Sequence, residues 1–221
     1  MFTHLHVASA YSGHYGVTRP EYLVEAAVAA GASALAITDR NGLYGAVKHI
    51  GACLKVGISP IVGVEIALLG DEGVAGHVTV LAHGRNGGVG WKALCAVVSE
   101  AQRFAKKQAV GLSIEKLAEL VQAGSEESGF SSVCTVMLGT DCSFAVSAMN
   151  GSKSLALEQL SYVSSLFVAP GSLAVEVVSH LTEPGTTNSS LHAGRLVDLA
   201  DAVGVPAVLT NAVRYLSPDD A

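Results

Sequence analysis

The chain is poor in charge and in aromatic rings. Of its 221 residues only 14% are Asp, Glu, Lys or Arg, 5% are Phe, Trp or Tyr, and there is a single tryptophan. Lys and Arg number 13 against 19 acidic residues, a formal net charge of −6. The densest basic group is Arg103, Lys106 and Lys107. Phosphate-backbone binding is built from clustered Lys and Arg, so this balance argues against a large nucleic-acid footprint. The trio reads as a solvated face or a complement to a helix C-terminus. Half of the residues are hydrophobic (50%) and the mean hydropathy is +0.44, yet no uncharged run reaches the roughly 18 to 20 residues that a membrane-spanning helix requires. Glu25, Gly31, Asp39 and Glu65 break the longest stretches. The N-terminus also lacks a basic region followed by an apolar run and a small-residue cleavage site. The cytoplasm is therefore the default location, with no membrane partner. Cys53, Cys95, Cys134 and Cys142 lie far apart with no Cys-x-x-Cys spacing, which reads as buried free thiols and not as a zinc or disulfide frame. Nucleophile-elbow and Walker patterns are absent. The segment Gly84-Arg85-Asn86-Gly87-Gly88-Val89-Gly90 lacks the Gly-x-Gly-x-x-Gly spacing of a dinucleotide fingerprint and reads as a flexible turn.

What is present is a repeat of short apolar runs, turn residues and amphipathic stretches. Strand-like runs fall near Thr3–Val7, Ala34–Thr38, Ile61–Leu68, His77–Ala82, Val133–Leu138, Leu173–Val178 and Ala207–Thr210. Helical stretches lie between them. One opens at Pro20, a first-turn proline, and stops at Gly31; one spans Ala46–Val56 and stops at Gly57; others cover Trp91–Lys107, the stretch after Ser113, Ser154–Phe167 and Ser190–Val203. The polar segment Gln122–Ser132 reads as a surface loop inside a single domain over residues 1–221. Alternating strands and helices imply a mostly parallel α/β sheet, either doubly wound or closed into a barrel.

In such folds the chemistry collects beyond the carboxyl ends of the strands. Those positions hold His4 and His6, His14 in the following loop, Asp39 and Arg40, Glu65, Asp141, His180, and Asn211 with Arg214. Histidines and carboxylates converging from several strands can hold divalent ions that activate water for phosphoester cleavage. The same residues also suit a structural polar cluster: buried histidines with hydrogen-bond partners, Glu65 paired with Arg40 or Arg214, Asp39 in an Asx turn. His77, at the start of its run, fits no simple barrel-mouth argument.

The order of motifs carries a further reading. His4-Leu5-His6-Val7-Ala8-Ser9-Ala10-Tyr11-Ser12, then the run from Ala34 through Thr38-Asp39-Arg40-Asn41-Gly42-Leu43-Tyr44-Gly45, then Pro60-Ile61-Val62-Gly63-Val64-Glu65 resemble the start of a bacterial C-family DNA polymerase. Later segments agree: Gly76-His77, Trp91-Lys92-Ala93-Leu94-Cys95, Val175-Glu176-Val177, and Val205 through Asn211 to Tyr215. The chain resembles the PHP (polymerase and histidinol phosphatase) domain of a DNA polymerase III alpha subunit, and its motifs are most similar to those of the error-prone alpha-type polymerase of damage-induced repair synthesis. The resemblance implies a distorted seven-stranded β/α barrel, TIM-like. It also implies that this chain is an N-terminal piece of a longer polymerase, whose own Mg-dependent nucleotidyltransferase residues lie beyond Ala221.

The resemblance further implies a metal site, and this sequence departs from it. The family's His-x-His falls on His6 and Ala8, its acidic loop ligand near Tyr15 beside His14, its histidine after Asp39 on Arg40, and its closing Asp-x-His on Ala212 and Arg214. Glu65 and His77 match, and Asp141 stands where Cys or His is usual. The implied remnant is His6, Glu65, His77 and Asp141, ringed by His4, His14, Asp39, Arg40 and Arg214. A fixed guanidinium in a cage built for cations repels metal and replaces its charge. The expectation is a non-catalytic module without a cofactor, Zn or Mn being the ions a reduced site would take. Its partners would be the remaining polymerase domains, proteins of a mutagenesis complex, and DNA through the parent. The alternative is a metal-dependent phosphoesterase with a reduced site.

Overall fold

A computed structural model of the chain describes residues 2–84, 88–103, 109–129 and 131–217. The elements run α1 (Pro20–Ala29), β1 (Ala34–Arg40), α2 (Ala46–Val56), β2 (Ser59–Gly70), β3 (Gly73–Ala82), α3 (Val89–Gln102) and α4 (Ile114–Ser128). They continue with β4 (Cys134–Leu138), α5 (Ser143–Met149), α6 (Lys153–Leu166), β5 (Leu173–Val178), α7 (Ser190–Val203) and β6 (Ala207–Thr210). Helix ends follow the local chemistry. Pro20 opens α1, whose missing N–H costs nothing in a first turn. The Ser113 hydroxyl accepts from the Lys116 N–H at 3.3 Å and caps α4. Gly57 and Gly204 close α2 and α7 in the left-handed conformation that glycine adopts freely.

The six strands lie in sequence order in one curled, mixed sheet. β1–β2, β4–β5 and β5–β6 pair parallel, whereas β3 is antiparallel to both β2 and β4. This half-barrel corrects the expectation of a seven-stranded, mostly parallel β/α barrel. The residues between Leu68 and His77 are too few for a parallel crossover, which takes about a dozen or more, so β2 and β3 form a hairpin. Thr3–Val7 is not a strand of the sheet and contributes only an isolated bridge from Val7 to Val213. Its ladder is interrupted because the Thr38 hydroxyl, not a carbonyl, takes the Val7 N–H at 2.9 Å. The segment still ties both sheet edges. His4 and Val7 carbonyls accept from the β1 N–H groups of Ala36 and Thr38, and on the other side His6 and Ala8 exchange 2.9 Å bonds with Val213.

Three further expectations change. Gln122–Ser128 belongs to α4 and is not loop, because the run after Ser113 keeps helical spacing until Gly129 turns left-handed. The short α5 was not anticipated, since Ser143–Met149 has only two turns with which to show a period. α3 begins two residues earlier than read and ends at Gln102; Lys106, Lys107, Arg85, Asn86 and Gly87 lie outside the described residues. All four cysteines are free, with Cys53, Cys134 and Cys142 buried.

The strands are apolar on one face and layered on the other. Val64, Ile66, Val78, Val80, Val136, Leu138, Val175 and Val177 alternate onto the outer face and pack the main core beneath α3 to α7. On the inner face, Leu81, Met137 and Ala174 form a small apolar floor with Leu5, Ile61 and Val208. Two residues along β3, β5 and β6 from that floor, and four along β2, polar side chains begin.

Candidate functional site

The side-chain period of two builds this polar layer. Glu65 on β2 and Thr79 on β3 are register partners, Glu176 lies on β5 and Thr210 ends β6. All four are buried. Glu65, Thr79 and Glu176 line a cavity of about 160 Å³ together with His6, Tyr15, Arg40, His77, Asp141, Asn188 and Arg214, among others. His77 reaches it because β3 runs antiparallel, which brings the start of this strand to the end of the sheet where the parallel strands finish.

His6 stands between two carboxylates. Its Nδ1 lies 2.7 Å from Glu176 Oε1, and its Nε2 lies 3.9 Å from Glu65 Oε2. The second separation is an electrostatic contact beyond hydrogen-bond range. Burial works against a charged ring, but Glu176 and Glu65 outweigh it and raise the His6 pKa to about 10. The Thr210 hydroxyl donates a short hydrogen bond to the same Glu176 oxygen. Glu65 is held from its other side by Arg40, whose Nε and Nη2 donate to Oε2 and Oε1 at 2.8 and 3.0 Å. This is the bidentate fork that matches a guanidinium to a carboxylate. Burial would raise the Glu65 pKa, and His6 and Arg40 together hold it at about 2.

A second pair sits at the rim. Asp141 accepts from the His77 backbone N–H at 2.9 Å through Oδ1, and its Oδ2 lies 2.6 Å from His77 Nδ1. Burial pushes the Asp141 carboxyl up, and these bonds outweigh it to hold the pKa low. The neighbouring Cys142 thiol donates to the His77 carbonyl at 3.3 Å, and burial pushes its pKa far up, which keeps it a thiol. Arg214, the other arginine read as a partner for Glu65, makes no ion pair among the described residues. The guanidinium carbon of Arg214 instead lies 4.1 Å from the centre of the Tyr15 ring, over which Arg40 also lies, at 3.5 Å.

The structure thus brings together His6, Arg40, Glu65, His77, Asp141 and Arg214; His180 Nε2 lies 2.9 Å from the Asn211 carbonyl and neither residue lines the cavity, and three residues ringing the implied remnant, Asp39, His4 and His14, also stay outside. Asp39 is buried and accepts from the Ser9 N–H and from the Ser9 and Ser12 hydroxyls, which fixes the loop carrying Tyr15. His4 meets the Phe2 ring edge-on. His14 is exposed in a left-handed backbone conformation at φ 60°. None of the three lines the cavity. Glu176, Thr79 and Thr210 were missed. Glu176 left one signal, a lone carboxylate inside the apolar run Leu173–Val178, which needs a buried partner.

A divalent metal has few free donors here. Arg40 occupies both Glu65 oxygens, His6 Nδ1 faces Glu176, and Ala8 and Ala212 carry no ligand atom. Among the described residues no group of three or more His, Cys, Asp or Glu is placed to hold a metal ion.

Comparison with known proteins identifies the setting of this cavity. A family model described as "PHP domain" matches residues 4–168. The chain is 31% identical over 223 residues to the DNA polymerase III subunit alpha of Buchnera aphidicola (subspecies Acyrthosiphon pisum), covering 99% of this chain and 18% of that protein. It is 35% identical over 225 residues to the Escherichia coli K12 subunit, with the same coverage. The error-prone DNA polymerase of Corynebacterium efficiens is 42% identical over 86 residues, 39% of this chain and 8% of that protein. In fold the chain is similar to an amidohydrolase from Chromobacterium violaceum, described with bound SO4 and no metal, at TM-score 0.61 and 15% identity. That match covers 96% of this chain and 87% of the other. A putative metal-dependent phosphoesterase from Bifidobacterium adolescentis matches at TM-score 0.56 and 14% identity, with the same coverage. The chain therefore spans about a fifth of the length of its polymerase relatives (18%), and it belongs to the PHP domain family, homologous to the corresponding region of DNA polymerase III alpha subunits and error-prone DNA polymerases.

Proposed function

We propose that this PHP domain is a non-catalytic structural module of an alpha-type DNA polymerase, in which a guanidinium has taken the place of metal. The observation that carries this reading is the bidentate Arg40–Glu65 pair at 2.8 and 3.0 Å. A charge that stays protonated, forked onto the one acidic residue that matches the family site, competes directly with any cation for the same oxygens. Ala8 and Ala212 remove two further ligand positions. The remnant His6, Glu65, His77 and Asp141 splits into an internal ion-pair network and a rim pair.

Within this reading the partners are the other domains of the parent polymerase, which contact DNA and supply the Mg-dependent synthesis. The acidic balance of the chain fits that division, and no helix among the described residues is long and apolar enough to cross a membrane. A cytoplasmic parent of the error-prone kind, working with protein partners of a mutagenesis complex, is supported by the higher local identity, 42% over 86 residues. The test is a phosphodiester assay on the purified chain in the presence of manganese. No turnover above buffer is expected. Turnover abolished by Glu65→Ala would establish the alternative, a metal-dependent phosphoesterase with a reduced site, with Zn or Mn as its ion.

A further inference from the structure

Helix α2 is apolar on two faces. Ala46, His49 and Cys53 turn inward and are buried. Val47, Ile50, Gly51 and Leu54 form a second stripe at the i, i+3, i+4, i+7 spacing, and it points outward, with Val47 75% and Leu54 67% exposed. Tyr44, one turn earlier, extends it at 65%. A surface helix normally turns charged or polar residues outward, and a contiguous exposed apolar stripe marks an interaction site. Gly51 adds a second sign. It sits in mid-helix, where glycine is less stable than alanine, yet a Cβ there would meet nothing within 4 Å. The fold of one chain therefore gives no steric reason for glycine at this point, and the close approach of another backbone gives one.

Beside the stripe, α1 and α2 enclose a groove of about 320 Å³ lined with apolar Val24, Ala52 and Val56. Glu21 and Glu25 line it from α1, and Lys48 and Lys55 from α2. Among the described residues none of these four charges makes an ion pair. Both helices are crossovers between parallel neighbours, α1 from the His4–Ala8 segment to β1 and α2 from β1 to β2, so they run in the same direction. A two-fold axis parallel to both and lying over the groove then lays α1 of one copy on α2 of the other. Each acidic wall meets a basic wall, twice, as an isologous contact requires. A partner of one charge sign would match only one wall. We propose that the α1–α2 face pairs two copies of this chain, with Glu21 and Glu25 of each against Lys48 and Lys55 of the other and the Val47–Leu54 stripes closing the apolar centre around Gly51. This goes beyond the structural role proposed above and does not depend on the replacement of metal by Arg40.

The test is sedimentation equilibrium of the 221-residue chain from about 1 µM to about 1 mM, the range of moderate to weak association. A reversible monomer–dimer equilibrium is expected. Gly51→Leu extends an exposed position and should leave the melting temperature of the monomer at or above that of the wild type, while weakening association about tenfold or more. Charge reversal on one wall, Lys48→Glu with Lys55→Glu, or on the other, Glu21→Lys with Glu25→Lys, places like charges in contact and should weaken self-association about tenfold or more. Mixing the two reversed chains restores both contacts and should recover a dimer containing one copy of each. A chain that stays monomeric over the whole range overturns the proposal and leaves the face to another protein surface, such as the remaining domains of the parent. So does a dimer that Gly51→Leu and both reversals leave unchanged, or a failure of the mixed chains to associate more tightly than either alone.

Discussion

Arg40→Met removes the guanidinium and keeps a chain of similar length. Glu65 is 2% exposed and would be left with one cation, His6, at 3.9 Å. Stranding one member of a buried pair costs about 3–5 kcal/mol, whereas an exposed pair is worth about 0–1 kcal/mol. The Arg40 side chain is 31% exposed, which places this pair between those limits, and His6 offsets part of the loss. The expected destabilisation is about 2–3 kcal/mol. For a chain of this length about 2–4 °C is lost per kcal/mol, so the melting temperature should fall by about 4–12 °C. Urea denaturation with an unchanged m-value gives the free energy directly. Glu65→Gln and the double variant close a cycle whose coupling energy should be about 1–3 kcal/mol. A cost below about 0.5 kcal/mol, the level of an ordinary surface substitution, or a coupling near zero, would show that the pair is not part of the framework.

The pH dependence follows from the same contacts. His6 is raised from 6.5 to about 10, so its contribution is complete below pH 6.5 and is lost as pH rises toward about 10. Glu65 is lowered from 4.5 to about 2, so its contribution is complete above pH 4.5 and is lost as pH falls toward about 2. Denaturation midpoints should therefore decline between pH 6.5 and the alkaline limit, and His6→Gln should flatten that decline; an equal slope in the variant contradicts the assignment. Glu176→Gln weakens the main charge that holds His6 protonated and should cost about 1–3 kcal/mol, with the His6 ring resonances titrating at lower pH in NMR. Retention of the high titration point would place the burden on Glu65 alone. Gly139→Ala is expected to cost about 1–3 kcal/mol by overpacking, because a Cβ there would clash with the His77 carbonyl. A neutral result in thermal melts would mean that the rim pair can shift without loss.

Much of this architecture was readable in the residues. Elements with strong punctuation, such as α2 between Gly45 and Gly57 and α7 before Gly204, fall where the sequence places them. Direction was harder. A strand pattern carries no sign of its orientation, so β3 was read into a mostly parallel sheet; its antiparallel run, which brings His77 to the cavity, is legible only in the shortness of the turn at Asp71 and Glu72. A pairing of Glu65 with Arg40 or Arg214 was anticipated from residue type at the strand ends, and the parallel register that makes Arg40 and Glu65 partners selects Arg40. Arg214 lines the cavity, but its stacking on the Tyr15 ring left no signal in the residues. Asp39, His4 and His14 illustrate the opposite limit. Residue type made them candidates, and only the local backbone shows that Asp39 serves the Ser9–Ser12 loop while the histidines face elsewhere.

The most direct measurement is the metal content of the purified chain after equilibration with excess manganese and zinc and passage through a desalting column. If Arg40 has replaced the metal, bound ion should be far below one per chain, in the wild type and in Glu65→Ala alike. Tightly bound metal at one or more ions per chain, lost in Glu65→Ala, would contradict the account.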